Sequence, residues 1–214
     1  LFCYSGESKI EIKVETKEGA MTEPRDPKPT VDFIDVYCAY YQDLFPEVRS
    51  FENFKDLHVG ILSNLKRKSL PEIAKVVGLD DAQSLHHFLR DSPWSADELG
   101  NRRFQRILET LASRSITLMI DETGDPKEGR TTDYVKRQYL GNLGKVDNGI
   151  VVVTSYGIIE NMTFPLIFKV YKPHERLKEG DEYKTKPEIA TEIIRELVSK
   201  GFKIELVLAD SLYG

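Results

Sequence analysis

Cysteine is scarce in this sequence, with Cys3 and Cys38 as its two examples in 214 residues. Two cysteines are too few for a disulfide framework or a cysteine-ligated metal site, which suits a protein of the reducing cytoplasm. The sequence also lacks a run of about eighteen apolar residues, so no membrane span is predicted. Its formal net charge of −5 excludes a uniformly basic nucleic-acid-binding surface but leaves room for local basic patches.

The composition predicts a folded protein with a flexible beginning. With 40% hydrophobic and 30% charged residues, the chain can bury a core in one large domain or two small ones. Ile10, Ile12 and Val14 alternate with charged residues as in a solvated strand, and Met21 then opens a proline-rich polar stretch. We predict a flexible leader over residues 1–30, and we hypothesise that translation starts at Met21.

Residues 31–114 show a helical period, and their centre has the spacing of a helix-turn-helix. Pro71 suits a first helical turn, Gly78 lets the chain turn, and a second helix is predicted from about Asp80 to Arg90. Polar and basic side chains in and just before this element could contact DNA bases or phosphates. These are Lys66, Arg67, Lys68, Gln83, Ser84, His87 and Arg90. An ordinary helical hairpin, with aspartates diluting the positive charge, is the alternative interpretation.

The next helix leads directly into a strand. Ser95 and Glu98 have the spacing of a capping box, which predicts a helix from there to about Ser113. We therefore predict a helical DNA-binding domain over residues 31–114 and a second domain over residues 115–214, with little linker between them.

Two short apolar strands each end in an aspartate. One strand runs from Ser115 to Asp121, and the other runs from Ile204 to Asp210. A carboxylate held at the end of a strand is rigid and faces solvent, as a metal-binding acid must. For either aspartate alone, a simple turn or cap residue is the alternative.

The order of elements between these two strands would bring the aspartates together. Apolar runs that begin at Ile150 and Phe164 predict an antiparallel hairpin, and an amphipathic helix follows up to Gly201. If the last strand lies beside the first, Asp121 and Asp210 are neighbours at one edge of the sheet.

Residues 125–148 are polar and rich in glycine and basic residues, and we predict a long loop there. Its cations, interleaved with Tyr134 and Tyr139, could line a strand of nucleic acid through charge and stacking. The cations are Lys127, Arg130, Lys136, Arg137 and Lys145. A mobile, solvated loop without a ligand is the alternative.

Four runs of residues resemble the DDE-superfamily transposases of bacterial insertion sequences, and the likeness covers roughly residues 30–214. The runs are Met-Ile-Asp-Glu-Thr-Gly (119–124), Arg-Gln-Tyr-Leu-Gly-Asn-Leu-Gly-Lys-Val-Asp-Asn (137–148), Lys-Thr-Lys-Pro-Glu (184–188) and Leu-Ala-Asp-Ser-Leu-Tyr-Gly (208–214). The resemblance implies an α+β protein in which a helical helix-turn-helix domain precedes an incomplete, ribonuclease H-like mixed α/β domain.

The resemblance also implies a chemistry. In that family the positions of Asp121 and Asp210, with a later glutamate, hold two divalent ions, Mg²⁺ or Mn²⁺. We accordingly expect metal-dependent cleavage and strand transfer at transposon ends. The expected partner is double-stranded DNA, bound by a homodimer, in the cytoplasm of a prokaryote and associated with its nucleoid.

The sequence departs from the family pattern because it stops at Gly214, before the expected glutamate. Glu122 follows Asp121 directly, so it would point away from Asp121 if the strand continues that far. We therefore expect this chain alone to lack strand-transfer activity. A non-catalytic helix-turn-helix DNA-binding protein and another ribonuclease H-like nuclease remain alternatives.

Overall fold

The computed structural model describes residues 25–129 and 131–213, so Met21 and Arg130 lie outside the described residues. The chain divides into two compact units between Leu99 and Gly100. The helices and strands, in chain order, are α1 (Asp32–Ala39), α2 (Val48–Leu62), α3 (Leu70–Val76), α4 (Gln83–Asp91), α5 (Ala96–Leu111), β1 (Ile116–Pro126), β2 (Lys136–Leu140), β3 (Lys145–Ile159), β4 (Met162–Val170), α6 (Lys186–Ser199) and β5 (Ile204–Leu208). In the part of the chain that the structure describes, no helix is long and apolar enough to cross a membrane.

The first unit is helical because apolar residues recur every three or four positions along its helices. Its core contains Phe51, Phe54 and Leu57 of α2, together with residues of α1, α3 and α4. Ile61 and Leu62 continue the same apolar spacing along α2, but both are more than half exposed. They belong to the last turn of α2, and the buried stripe ends at Gly60.

The last part of the predicted flexible leader, residues 25–30, is ordered. Arg25 donates two hydrogen bonds to the Glu52 carboxylate, at 2.6 and 2.7 Å, and the backbone N–H of Lys28 donates a third. The hydrogen bonds from Arg25 lower the pKa of Glu52 to about 2. Thr30 is tied in the same way to the side chain of Asp35. Residues 25–30 are therefore held against α1 and α2, whereas residues 1–24 lie outside the described part.

The second unit is built on a mixed sheet of five strands. Its order is β2-β3-β1-β5, and β4 pairs with β3. Strand β3 is antiparallel to β1 and to β4, whereas β5 is parallel to β1. This confirms the predicted hairpin and the predicted position of the last strand beside the first. Ile116, Leu118 and Ile120 of β1 point into a core that Ile193 and Leu197 of α6 complete.

Helix α6 supplies the crossover that a parallel pair of strands requires. Thr185 caps its first turn in a reciprocal capping box with Glu188, as the sequence Thr-Lys-Pro-Glu favours. Gly201 follows the helix with φ +99°, a backbone conformation that glycine adopts readily.

Two segments differ from the sequence prediction. Strand β1 continues past Asp121 to Pro126, and part of the predicted loop 125–148 is ordered as β2 and the first part of β3. The cause is Leu140, which is fully buried; a Cβ added at Gly124 or Gly149 would lie 2.7 or 2.8 Å from its methyl groups. Two glycines that suggest a loop in the sequence are thus close-packing positions in a sheet.

Helix α5 accounts for the position of the boundary between the units. The sequence placed this boundary after residue 114, whereas the structure divides after Leu99. Phe104 and Leu111 of α5 pack into the core of the sheet, so most of this helix belongs to the second unit.

We predict opposite effects for two helical glycines replaced by alanine. A Cβ at Gly60 of α2 would lie 2.3 Å from Cγ2 of the buried Ile73, whereas a Cβ at Gly100 of α5 would meet no atom within 4 Å. Gly60→Ala should lower the free energy of unfolding by about 1–3 kcal/mol through overpacking. Gly100→Ala should raise it by up to about 1 kcal/mol through helix propensity. Urea unfolding followed by circular dichroism measures both, and a stabilised Gly60→Ala protein would contradict the close packing of α2 on α3.

Candidate functional site

The parallel pairing of β1 and β5 places Asp121 and Asp210 next to each other. Met119 pairs with Leu208, and each aspartate lies two residues beyond its member of that pair. The carboxyl ends of parallel strands meet at one edge of a sheet, and both side chains are exposed there. The two aspartates are thus brought together as the sequence predicted, although Asp121 lies within β1 rather than at its end.

Two hydrogen bonds fix the backbone around Asp121. Thr154 Oγ1, on the neighbouring strand β3, donates to the carbonyl oxygen of Asp121 at 3.0 Å. The backbone N–H of Glu122 donates to Asp121 Oδ1 at 2.8 Å. The carboxylate therefore sits on a paired strand rather than on a free loop, which limits its freedom of movement.

Glu122 occupies the opposite face of β1 and is engaged elsewhere. Its Oε2 lies 2.6 Å from Nζ of Lys186, the first residue of α6, and each side chain is 21% exposed. The Lys186 ammonium also lies 5.7 Å from the centroid of the Tyr171 ring. Glu122 therefore points away from Asp121, as strand alternation predicted, and is half of an ion pair between the sheet and α6.

Tyr213 lies next to Asp210 at this edge of the sheet, and it was not predicted as a site residue from the sequence. A short 3-10 turn after Asp210 folds it back, with its N–H donating to the Asp210 carbonyl oxygen at 3.1 Å. Burial raises the pKa of Tyr213 to about 12, and the charges of Glu122, Asp210 and Asp121 add to the effect. The buried hydroxyl has no hydrogen-bond partner within residues 25–129 and 131–213.

The donor chemistry of this edge suits a hard divalent cation, because Asp121 and Asp210 offer carboxylate oxygens. Within the described part of the chain, no group of three or more His, Cys, Asp or Glu side chains is arranged to hold a metal ion. The two aspartates therefore form a pair of possible ligands rather than a complete protein cage.

The predicted DNA contacts of the helical unit lie on and before α4. This helix buries Leu85 and Phe88, so that Gln83, His87 and Arg90 are exposed. Arg90 forms an ion pair with Asp91 at 2.9 Å. The structure thus turns a polar face of α4 to solvent.

The remaining predicted contacts of this unit differ in accessibility. Lys66, Arg67 and Lys68 are exposed between α2 and α3, and Lys68 donates to the carbonyl oxygen of Ser63 at 2.6 Å. The Ser84 hydroxyl oxygen is instead buried and has no hydrogen-bond partner among the described residues. Its burial could not be read from the sequence, because it depends on how α4 packs.

The predicted basic loop provides fewer free cations than the sequence suggested. Lys127 pairs with Asp125, Lys136 pairs with Glu175 at 2.8 Å, and Lys145 pairs with Asp147 at 2.9 Å. Arg130 lies outside the described residues. Arg137 is exposed and makes no side-chain hydrogen bond or ion pair with the described part of the chain.

Comparison with known proteins decides the family. Residues 42–214 match the family model of the DDE superfamily endonucleases. The chain belongs to this superfamily. It is also 64% identical, over 194 residues, to the probable transposase for insertion sequence element IS701 from Microchaete diplosiphon. That alignment covers 91% of this chain and 51% of the relative, so the chain spans about half the relative's length. No solved structure gives a significant match.

Membership of the DDE superfamily agrees with the fold and with the acidic edge. Its endonucleases generally use divalent metal ions, and the mixed sheet with flanking helices is consistent with a ribonuclease H-like domain. The resemblance found in the four sequence runs is therefore confirmed at the level of the family.

We predict that the Lys186–Glu122 ion pair stabilises this DDE-superfamily unit. Lys186→Met should lower its free energy of unfolding by about 1–3 kcal/mol, because the largely buried Glu122 carboxylate loses its partner. Adding Glu122→Gln should restore part of the loss, which a double-mutant cycle in urea would measure. Lys203→Met, at an exposed position, is the matched control and should change stability by less than about 0.5 kcal/mol. Equal effects of the two lysine substitutions would refute a stabilising pair.

Proposed function

We propose that this chain acts in an insertion-sequence transposase, as the part that carries two catalytic aspartates and a DNA-binding helical unit. The observation that carries the proposal is the pairing of the parallel strands β1 and β5, which brings Asp121 of β1 and Asp210, two residues beyond β5, to the same edge of the sheet. The superfamily match and the name of the 64% identical relative support it. The reaction would be cleavage and strand transfer at transposon ends.

Asp121 and Asp210 would hold the divalent ions, Mg²⁺ or Mn²⁺, of which the complete family site takes two. When bound, such ions stabilise the attacking and leaving oxygens of phosphoryl transfer. The residues of this chain fix the geometry: β1 and β5 set the separation of the carboxylates. Lys186 holds Glu122 on the other face, which leaves Asp121 as the exposed acid of β1.

The helical unit would contact double-stranded DNA through a helix-turn-helix formed by α3 and α4. The arrangement supports this because a turn with Gly78 at φ +76° joins the two helices, and α4 exposes a polar face. Gln83, His87 and Arg90 would reach base edges or phosphates, with Lys66 and Arg67 on the backbone. A homodimer on DNA, in a prokaryotic cytoplasm and near the nucleoid, is part of the same proposal.

A second candidate is a DNA-binding protein without chemistry, which the polar, solvent-facing side of α4 would serve equally well. In that case the helical unit would bind DNA while the acidic edge would be vestigial. The two candidates differ in whether the activity of the protein on DNA requires a divalent metal ion. Preferential cleavage of RNA hybrids or DNA junctions would instead indicate a different ribonuclease H-like nuclease.

We predict weak divalent-metal binding that depends on both aspartates. Isothermal titration with Mn²⁺ should give a dissociation constant on the order of 1 mM for a site with two carboxylate ligands. Asp121→Asn and Asp210→Asn should each weaken binding about 10-fold or more, because each removes a charged ligand. Asp125→Asn is the matched control, since Asp125 lies on the same strand in an ion pair with Lys127.

The same variants test catalysis. With Mg²⁺ and a plasmid that carries transposon ends, this chain should not cleave, whereas a transposase of the relative's length that contains it should. Asp121→Asn and Asp210→Asn should abolish that cleavage, and Asp125→Asn should preserve it. Cleavage that survives either of the first two substitutions would refute the catalytic assignment.

We predict that DNA binding follows the exposed residues of the helical unit. Replacing Gln83 or His87 by alanine should cost about 1–3 kcal/mol on a specific end sequence if they contact bases. Lys66→Ala and Arg67→Ala should weaken binding to all sequences and reduce the salt dependence by about one phosphate contact each. Electrophoretic mobility shift at several salt concentrations measures both effects.

Two controls accompany this experiment. Lys75→Ala removes an exposed lysine of α3 that pairs with Glu72 and should leave binding unchanged. Ser84→Ala removes a hydroxyl whose oxygen is buried and should do the same. If the control variants lose DNA binding while the Gln83, His87, Lys66 and Arg67 variants keep it, the DNA does not bind at the proposed surface of the helical unit.

A further inference from the structure

The hairpin formed by β2 and the beginning of β3 extends beyond the end of β1. Strand β1 pairs with β3 from Gly149 onward, whereas β2 pairs with the five residues of β3 up to Gly149. We call residues 136–149 the arm. The arm therefore continues the sheet past the point where β1 ends at Pro126.

One face of the arm is fixed against the sheet. Leu140 is fully buried, and its side chain lies so close to Gly124 and Gly149 that neither position has room for a Cβ. Lys136 pairs with Glu175 on the same face of the hairpin. This face holds the arm in place, so the other face presents its side chains in a fixed orientation.

The other face of the arm carries Arg137 and Tyr139. In the register of the hairpin, Arg137 lies opposite Asn148 and Tyr139 lies opposite Val146. Side chains alternate between faces along a strand, so alternate residues of β3 from Val146 to Thr154 share one face. Thr154 is the partner of Asp121. Arg137, Tyr139 and Asp121 therefore lie on the same face of the sheet.

The distance between them follows from strand geometry. Eight positions of β3 separate Val146 from Thr154. At the rise of a β-strand this is roughly 26 Å, about seven or eight base steps of B-form DNA. If the scissile phosphate of a DNA strand lay at Asp121, a base about seven or eight steps along that strand could therefore reach Tyr139.

Tyr139 has a free ring, in contrast to the other tyrosine of the predicted basic loop. Tyr139 is 56% exposed, and its ring contacts no aromatic or cationic group among the described residues. The centroid of the Tyr134 ring lies 5.3 and 5.9 Å from the ammonium groups of Lys172 and Lys178, and its hydroxyl donates to Asp181. The structure thus leaves Tyr139, rather than Tyr134, open to a ligand.

The charge beside this ring favours a nucleic acid over an apolar partner. Lys136 and Lys145 of the arm are each neutralised by a carboxylate, whereas Arg137 makes no side-chain hydrogen bond or ion pair in the described chain. Its charge also contributes to the lowered pKa of Asp147, whose main partner is Lys145. An exposed aromatic ring beside a free guanidinium provides stacking for a base and a contact for its phosphate.

We propose that Tyr139 and Arg137 form a stacking site for an unpaired nucleotide of the DNA that is processed at Asp121. The inference rests on the proposed function and extends it, because it names single-stranded DNA, about seven or eight base steps from the cleavage point, as the ligand of the arm. Val146, opposite Tyr139 and half exposed, borders the base on its apolar side.

The test uses the 214-residue chain and two DNA probes of the same duplex sequence, one blunt and one with a single-stranded overhang. The overhang carries 2-aminopurine, whose fluorescence is quenched when it stacks on an aromatic ring. Tyr139→Ala should weaken binding of the overhang probe about 5- to 100-fold and remove the quenching. Binding of the blunt probe should stay unchanged, and Tyr139→Trp should keep both affinity and quenching.

Arg137→Gln should weaken overhang binding but leave the quenching of bound probe in place, because it removes the phosphate contact and not the ring. Tyr183→Ala is the matched control, since Tyr183 is an exposed tyrosine of the same unit outside the arm. It should change neither probe. An unchanged circular dichroism melting curve for each variant confirms that the sheet is intact.

Two outcomes overturn the inference. Equal loss on blunt and overhang probes would make Tyr139 a general duplex contact. If Tyr139→Ala still binds the overhang probe and still quenches its fluorescence, the ring serves another partner. The same conclusion holds if the substitution leaves probe binding intact and only dissociates a dimer of the chain. In both cases, duplex binding by the wild-type chain would still support the proposed function. If the wild-type chain bound no DNA at all, both the stacking site and the proposed function would be refuted.

Discussion

The parallel pairing of β1 with β5 is the constraint on which the acidic edge depends. Few backbone pairs form it, from Ile116 with Ile204 to Met119 with Leu208, and a register shift interrupts it near its beginning. Because β5 lies at the edge of the sheet, its position depends strongly on α6, which packs Ile193 against the core and returns the chain in the right direction. A slip of one residue would move Asp210 to the other face of the sheet.

Much of this arrangement could be predicted from the sequence because its signals are local. The capping box before α6, the apolar stripe along it and the glycine after it together predict a crossover helix. A crossover helix then favours a last strand parallel to a neighbour. The confirmed prediction that Asp121 and Asp210 are neighbours thus follows from one helix and a topology rule.

The arm shows where such reasoning fails. Its residues are polar and rich in glycine, which is typical of a loop, and its strands lack a long apolar alternation. What orders it is a contact between Leu140 and two glycines that lie 16 and 9 positions away in the sequence. Packing between distant residues, unlike capping or periodicity, leaves no pattern in a single sequence. Tyr213 and the burial of Ser84 were missed for the same reason.

Strand alternation explains why two adjacent acids have different roles. Odd-numbered residues of β1 share the face that bears Asp121, where Leu206 and Leu208 of the neighbouring strand are about half exposed. The even-numbered residues face α6 and the core, so Glu122 is drawn into an ion pair with Lys186 while Asp121 stays open. The same alternation, carried along β3, sets Tyr139 on the face of Asp121. One periodic property of the backbone therefore separates the side of the sheet that stabilises the fold from the exposed side that we propose binds metal and DNA.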